Sequence, residues 1–447
     1  MGKGKIFIVG VITVILLDSL FILKGAPSST ISNLNVPNSR LNLPKYQQVS
    51  FYVGAHQDDW QLFMGVNAYN DILNQNAKTV FIYVTAGDEG SGSGFGHCTN
   101  CTIPHFRSRE EGAISSLKLV AKQTWPYPKM IHDTIQSCGK IFFIHKYIYS
   151  NTVSYFIRLP NRPTTPNLTS FFYSNDALTA LVDSTEEPLN DQSNTFQNKE
   201  ELIELVKRIF LRETGEATAL WINTSDPESL KNGNHDDHAE HYITGKICKQ
   251  AAASIGNSKK IVMAYYTEYC TENMPHNLSL EGVMMESGLF AAYNKSKIDA
   301  GWWSEWDVCK KYCSTNYLSV TMIGNTNIAV NDTSKNSFSA NSYSIDCLPE
   351  KDSSLLKINY SIPEDLGKDD AIYLEFVNSN MEILKKIDQS SKKGIFSTDF
   401  NISTYTEGIY FLRLRMRNHS ESEVFTTFKV LLTIPKNKNG NVKNNNP

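Results

Sequence analysis

The sequence predicts an α/β fold, a Rossmann-like and mostly parallel sheet with helices on both faces, followed by a C-terminal antiparallel β-sandwich. Three observations lead there. Short, continuous apolar runs rich in β-branched and aromatic residues recur at 49–56, 80–87, 140–145, 217–223 and 260–266, as strands buried on both faces require. Helix-like stretches at 60–74, 106–121, 199–212 and 239–253 alternate with them, which is the pattern of a parallel sheet. After about Asn336 the helical signal stops, and runs at 355–362, 371–377, 394–400, 408–416 and 424–432 read as strands separated by turns.

Taken in order, the chain opens with Lys3 and Lys5 ahead of a nearly unbroken apolar run from Ile6 to Leu23. That is the form of a signal peptide or N-terminal anchor over 1–25. The run is short for a full span and a cut near Gly25 or Ala26 is favoured. Either way the rest would lie in the secretory lumen or outside the cell, membrane-anchored only if the segment is kept. A polar, Pro-punctuated linker follows over 26–48, then the α/β domain over 49–330, the sandwich over 340–435 and a solvated Lys/Asn tail over 436–447.

In the stretch 199–212, Leu202, Leu205, Val206, Ile209 and Phe210 fall at helical spacing while Glu200, Glu201, Glu204, Lys207 and Arg208 take the opposite face. With 447 residues, about two domains are expected. A formal net charge of −3 supplies no basic field, so nucleic acid is set aside as a partner.

Eight cysteines in an oxidising compartment are expected to pair. Cys98 and Cys101 form a CxxC with no second ligand pair at a matching distance, so a local disulfide, or pairing with Cys138, is favoured over a zinc knuckle. Nine Asn-x-Ser/Thr triplets, Asn223 and Asn294 among them, would carry glycans in a eukaryotic host.

Two clusters carry chemistry. The first, Ala55-His56-Gln57-Asp58-Asp59-Trp60, ends a strand and opens a helix, in the crevice where open α/β sheets bind ligands. Adjacent carboxylates point in different directions, so one can hold a cation while the other works as a base. A plain helix cap is the competing reading. The second, His235-Asp236-Asp237-His238-Ala239-Glu240-His241, follows the 217–223 run and opens another helix. His235 and His238, with Asp237 between them, offer a ligand and a proton donor oriented by a carboxylate; a polar loop with a charged helix start is the alternative. His241 lies one turn further on and reads as a solvated helix face or a spare ligand.

These residues resemble the LmbE-like or PIG-L family of zinc-dependent de-N-acetylases. Residues 55–60 are similar to its AHPDDE motif, and His235-Asp236-Asp237-His238 to its HxDH motif. Thr85-Ala86-Gly87-Asp88 resembles its TxGD, Arg107-Ser108-Arg109-Glu110 the start of its RxxE helix, and Tyr155 to Pro160 a further segment. The resemblance covers about Val49 to Val320. It implies that His56, Asp59 and His238 hold Zn2+ with an open position. It further implies that Asp58 is the general base, and that His235, oriented by Asp237, stabilises the oxyanion or protonates the leaving amine.

The implied reaction removes an acetyl or other acyl group from the amide nitrogen of an N-acetylated amino sugar, such as N-acetylglucosamine, or of a glycoconjugate. Two positions depart from the pattern: Gln57 stands for Pro, with loss of turn rigidity, and Trp60 for Glu, with altered substrate contacts expected. Arg107 or Arg109 and Asp88 are further candidates for substrate contact or orientation, each also readable as a surface ion pair or a cap. A catalytically inactive secreted glycan-binding protein on the same fold is the second functional reading.

Overall fold

The computed structural model describes residues 46, 48–74, 76–89, 95, 98–121, 129–161, 187–189, 193–215, 217, 219–228, 237–256, 259–324, 341–349, 354–418 and 422–433, all within one compact unit, Lys45–Pro447. The N-terminal apolar run, the C-terminal tail, His235 and Asp236 lie outside the described residues. Among the described residues no helix is long and apolar enough to cross a membrane.

The first half alternates strand and helix. It runs β1 (Gln48–Gly54), α1 (Asp59–Phe63), α2 (Gly65–Leu73), β2 (Ala77–Thr85), α3 (His105–Val120), β3 (Lys129–Ser137), β4 (Lys140–Tyr149) and β5 (Thr152–Leu159). The two-residue strands β6 (Glu187–Pro188) and β7 (Thr195–Phe196) pair with each other. Then come α4 (Lys199–Thr214), β8 (Ala219–Ser225), α5 (Ala239–Ala253), β9 (Lys260–Thr267), α6 (Leu280–Asp299), α7 (Trp306–Cys309) and β10 (Tyr317–Gly324).

Eight strands form one sheet in the order β10-β9-β8-β1-β2-β5-β4-β3. The five from β9 to β5 are parallel; β10 pairs antiparallel with β9 on one side, and on the other β4 pairs antiparallel with both β5 and β3. The chain leaves β1 toward β2 and returns to its other side as β8, which makes the carboxyl ends of β1 and β8 the switch point of the sheet. Side chains alternate across it: Val49, Phe51 and Val53 of β1 join α4 and α5 on one face, while Tyr52 joins α1, α2, α3 and α6 on the other.

The C-terminal strands β11 (Ser344–Pro349), β12 (Leu355–Ile362), β13 (Ala371–Asn378), β14 (Ile383–Ser390), β15 (Gly394–Asn401), β16 (Gly408–Arg417) and β17 (Ser422–Leu432) form two antiparallel sheets. Their orders are β11-β12-β15 and β14-β13-β16-β17, and Ile358, Leu374, Phe376, Leu412 and Val430 fill the space between them. The expected α/β layer followed by a β-sandwich is therefore present.

The sandwich is seated on the α/β layer by buried charge as well as by apolar surface. Phe411, Val424 and Leu431 join the same core as Tyr52 and Trp221, and fully buried Lys429 pairs with Asp71 of α2 and lies over the Trp221 ring. At the other end of this contact Glu281, in the first turn of α6, binds Arg413 and Arg415 of β16. The far end of α6 carries Lys297, which binds Glu305.

Cys98 and Cys101 are paired. Asn223 and Asn294 are buried with their side-chain amides bonded to the Phe51 and Phe290 carbonyls. These two triplets offer no amide for a glycan in the folded protein, so the expectation is corrected there.

Candidate metal centre

The switch point brings three elements together. β1 ends in His56, with Asp59 opening α1; α5 starts behind His238 and carries Glu240 and His241; Glu268 follows β9. Gly245 lets α5 approach this closely, because any Cβ there would run into the Ser225 carbonyl at the end of β8.

His56 Nδ1, Asp59 Oδ1 and His241 Nε2 form a nearly equilateral triangle. His56 to Asp59 is 3.3 Å, His56 to His241 3.2 Å, and His241 to Asp59 3.5 Å. Ligands at tetrahedral zinc bond lengths sit about 3.4 Å apart, so this spacing fits one ion with a fourth corner left over. The outer ring nitrogens are held by carboxylates: His56 Nε2 lies 2.6 Å from Glu240 Oε2, and His241 Nδ1 lies 2.7 Å from Asp237 Oδ1 and 2.6 Å from Glu268 Oε2. Outward N–H groups committed in this way turn the inner lone pairs toward the centre of the triangle, as metal-binding histidines require.

Two other groupings nearby meet the distance needed for a shared ion, His56 with His238 and Glu240, and Asp237 with His241 and Glu268. Each contains an imidazole–carboxylate pair at 2.6–2.7 Å, which is hydrogen-bond spacing and not that of two ligands on one ion. The His56–Asp59–His241 triangle is the one whose spacing fits a shared metal ion.

The electrostatics agree. Burial works against a charged His56, yet the Asp59 and Glu240 carboxylates outweigh it and hold its pKa up at about 10. His241 is likewise raised, burial being overcome by Glu268, Asp237 and Asp59. Asp59 is held well below the usual carboxylate range, its burial offset by the two imidazoles. Asp59, Glu240 and Asp237 favour positive charge on or between the two rings, while burial, opposed by His241, pushes the Glu268 carboxyl up to about 7.

The third corner, expected of His238, is taken by His241. His238 is the N-cap of α5, its Nδ1 accepting the Glu240 backbone N–H at 3.3 Å, and it groups with His56 and Glu240 beside the triangle. Its side chain is 18% exposed, and its ring lies 5.3 Å from that of His56. Burial and the neighbouring His56 and His241 push its pKa down to about 3, leaving a neutral imidazole on the rim. Asp237 touches His241, four residues on, and His235 lies outside the described residues.

Asp58 precedes α1 without capping it. Its Oδ1 is bound by buried Arg109, and burial, opposed by Arg109 and reinforced by Glu305 and Asp59, lifts its pKa to about 6. Arg109 also donates from Nε to Gln57 Oε1 at 3.3 Å and from Nη1 to Glu305 Oε1 at 3.3 Å. Gln57 in turn donates to the Thr85 carbonyl at 2.8 Å, so the departure from Pro adds a bridge between β1 and β2. Gly87, at φ +57, permits the arrangement, since a Cβ there would strike Gln57 and Arg109.

The remaining candidates fall outside the first contacts. Trp60 is in the core, hydrogen-bonded to the Tyr83 hydroxyl at 3.1 Å and packed on Phe81, so it makes no substrate contact; every residue of the short α1 is buried. Arg107 pairs along its own helix with Glu110 and Glu111. Asp88 accepts from the Asn161 backbone N–H at 2.8 Å, and Asn161 Nδ2 reaches Glu240 Oε2 at 3.3 Å. Asp88 thus steadies the residue behind a ligand's partner.

Sequence reasoning read His241 as a solvated helix face or a spare ligand, and its burial corrects the first of these; Glu240 and Glu268 were given no role. The spacing His238-x-x-His241 and the position of Glu268 just beyond a third parallel strand were the available signals.

No family model and no curated protein matches the chain. Among solved structures it is similar to an N,N'-diacetylchitobiose deacetylase from Pyrococcus horikoshii complexed with its inhibitor, at 11% identity over 62% of this chain and 84% of that one, TM-score 0.32. It is also similar to a 4-carboxy-2-hydroxymuconate hydratase from Pseudomonas putida, at 10% identity over 60% and 82%, TM-score 0.28. Likenesses this distant assign no function, which has to be argued from the site's own atoms.

Proposed function

We propose that the chain is a zinc-dependent hydrolase that removes an acyl group from the amide nitrogen of an N-acetylated amino sugar or glycoconjugate. The observation that carries the metal-dependent half is the His56–Asp59–His241 triangle with every outer imidazole nitrogen already held by a carboxylate. The substrate half rests on the resemblance of residues 55–60, 85–88 and 107–110 to the de-N-acetylase motifs.

A bound zinc at such a corner contributes Lewis acidity, polarising a carbonyl oxygen and lowering the pKa of water. The chain's own groups supply the proton traffic. Asp58, poised at about 6, accepts a proton from the attacking water near neutral pH, and Arg109 fixes its Oδ1 and so its orientation. His238, neutral and partly exposed beside His56, is placed to donate a hydrogen bond to developing oxyanion charge. The rival reading as a silent glycan-binding protein drew on Trp60 and on the appended sandwich; Trp60 is committed to the core and gives it no support, which leaves it the sandwich alone.

The test is to determine metal content and acetate release on one purified sample, against N-acetylated monosaccharides, oligosaccharides and glycolipids, with and without chelator. About one zinc per chain, chelator-sensitive release, and loss of turnover with retained zinc in Asp58→Asn are expected. Zinc-loaded protein that releases no acetate from any of these sugars, or Asp58→Asn with normal activity, overturns the reading.

A further inference from the structure

We propose that Trp303 is the platform on which a second sugar ring of the substrate stacks, beyond the ring that carries the amide; this rests on the amino-sugar reading above. Trp303 is 50% exposed, large for a tryptophan held in place by its neighbours. Its inner side is fixed by a cluster of rings, His105 at 4.8 Å and Trp302 at 5.3 Å between centroids, with Lys297 Nζ at 5.6 Å.

The segment that bears it is pinned from several directions. Trp302 Nε1 donates to the Ile103 carbonyl at 2.8 Å, Thr102 N to the Ala300 carbonyl at 2.9 Å, and Glu305 N to Asn294 Oδ1 at 2.7 Å. The Cys98–Cys101 bond closes the facing loop. A ring immobilised before binding loses little freedom when a ligand stacks on it, the condition under which an exposed aromatic contributes most.

The platform is continuous with the site. Two residues after Trp303, Glu305 binds Arg109, and the same guanidinium holds Asp58. Trp303 reaches Asp58 only through a chain of contacts, His105 on the ring, His105 beside Glu305, Glu305 on Arg109 and Arg109 on Asp58, which suits a neighbouring ring and not the reacting amide. An aromatic face carries negative quadrupole charge and attracts the C–H face of a pyranose. The polar group beside it with some exposure is Glu305, and hydroxyls would lie there.

The experiment compares the zinc-loaded wild type, Trp303→Ala and Trp303→Phe on N-acetylglucosamine and on its β-1,4-linked dimer. Calorimetric binding of the trimer is measured in parallel. Trp303→Ala is expected to raise KM for the dimer about tenfold, with kcat, zinc content and monosaccharide kinetics unchanged, and to weaken trimer binding to the same extent; Trp303→Phe should recover most of both. Dimer kinetics and trimer binding unaltered in Trp303→Ala, in an active wild type, overturn the platform alone. A wild type that neither binds nor deacetylates any of the three sugars overturns the platform together with the reading it rests on.

Discussion

The ring nitrogens His56 Nδ1 and His241 Nε2 face each other across 3.2 Å although 185 residues separate them in the chain. With the outer N–H of His56 given to Glu240 and that of His241 to Asp237, beside Glu268, two neutral rings would set lone pair against lone pair. Only a cation between them, or protons on the rings, makes the arrangement stable. The relationship identifies His241, and not His238, as the residue that completes the triangle with Asp59.

Substituting the two histidines should therefore have different outcomes. His241→Ala is expected to weaken zinc binding by at least about a hundredfold. His238→Ala should keep its zinc and lose about 10²-fold or more in kcat. Zinc titration and steady-state kinetics on both variants decide it; zinc lost from His238→Ala and kept by His241→Ala would reverse the assignment.

Glu268 is buried, with Oε2 on His241 Nδ1 and Oε1 accepting from Ser225 Oγ at 2.8 Å. Glu268→Gln keeps the shape and removes the charge that makes His241 a strong donor. Zinc affinity is expected to fall about 10- to 100-fold, read by competition with a chelating dye.

Away from the site, Glu213 is buried against Lys78 and Lys146. Burial raises its pKa, the two lysines lower it more, and the result is about 2 against the ordinary 4.5. A carboxylate depressed on folding contributes stability above the unfolded pKa and loses it as pH falls through the folded one. The contribution, about 3 kcal/mol at neutral pH, should thus fade between pH 4.5 and 2. Denaturant midpoints of wild type and Glu213→Gln should converge over that window and stay apart above it.

Lys429 in β17 and Asp71 in α2 form a buried pair between sandwich and α/β layer. Lys429→Met leaves the Asp71 carboxylate with the Tyr52 hydroxyl, at 2.6 Å, and no cation, and is expected to destabilise by about 3 kcal/mol. Replacing both, as Lys429→Met with Asp71→Leu, should recover much of that loss in a double-mutant cycle of chemical unfolding.

Strands apolar on both faces were legible as continuous runs, and β1, β2, β8 and β9 fall within a few residues of the expected ones; the run at 140–145 is corrected, since it lies in antiparallel β4 with Ile141 and Phe143 exposed. Less visible was β3, an edge strand whose exposed positions leave no continuous apolar run. Helix α6 escaped notice because its buried face carries Glu286, Asn294 and Lys297 beside Leu289, Phe290 and Tyr293, so hydropathy blurs its period. In the site, His56, Asp58 and Asp59 are close in sequence and easily noticed. Choosing His241 over His238 takes the direction in which each ring leaves the first turn of α5, and a linear pattern does not hold that information.

Helix α6 is 20 residues long, about 30 Å from end to end. Its first turn is bolted to the sandwich through Glu281, and its last is coupled through Lys297, Glu305 and Arg109 to Asp58. A rod fastened at both ends transmits tilt. Substitutions that loosen the sandwich, remote as they are from the chemistry, should therefore misalign the base and slow turnover at temperatures where the chain is still folded.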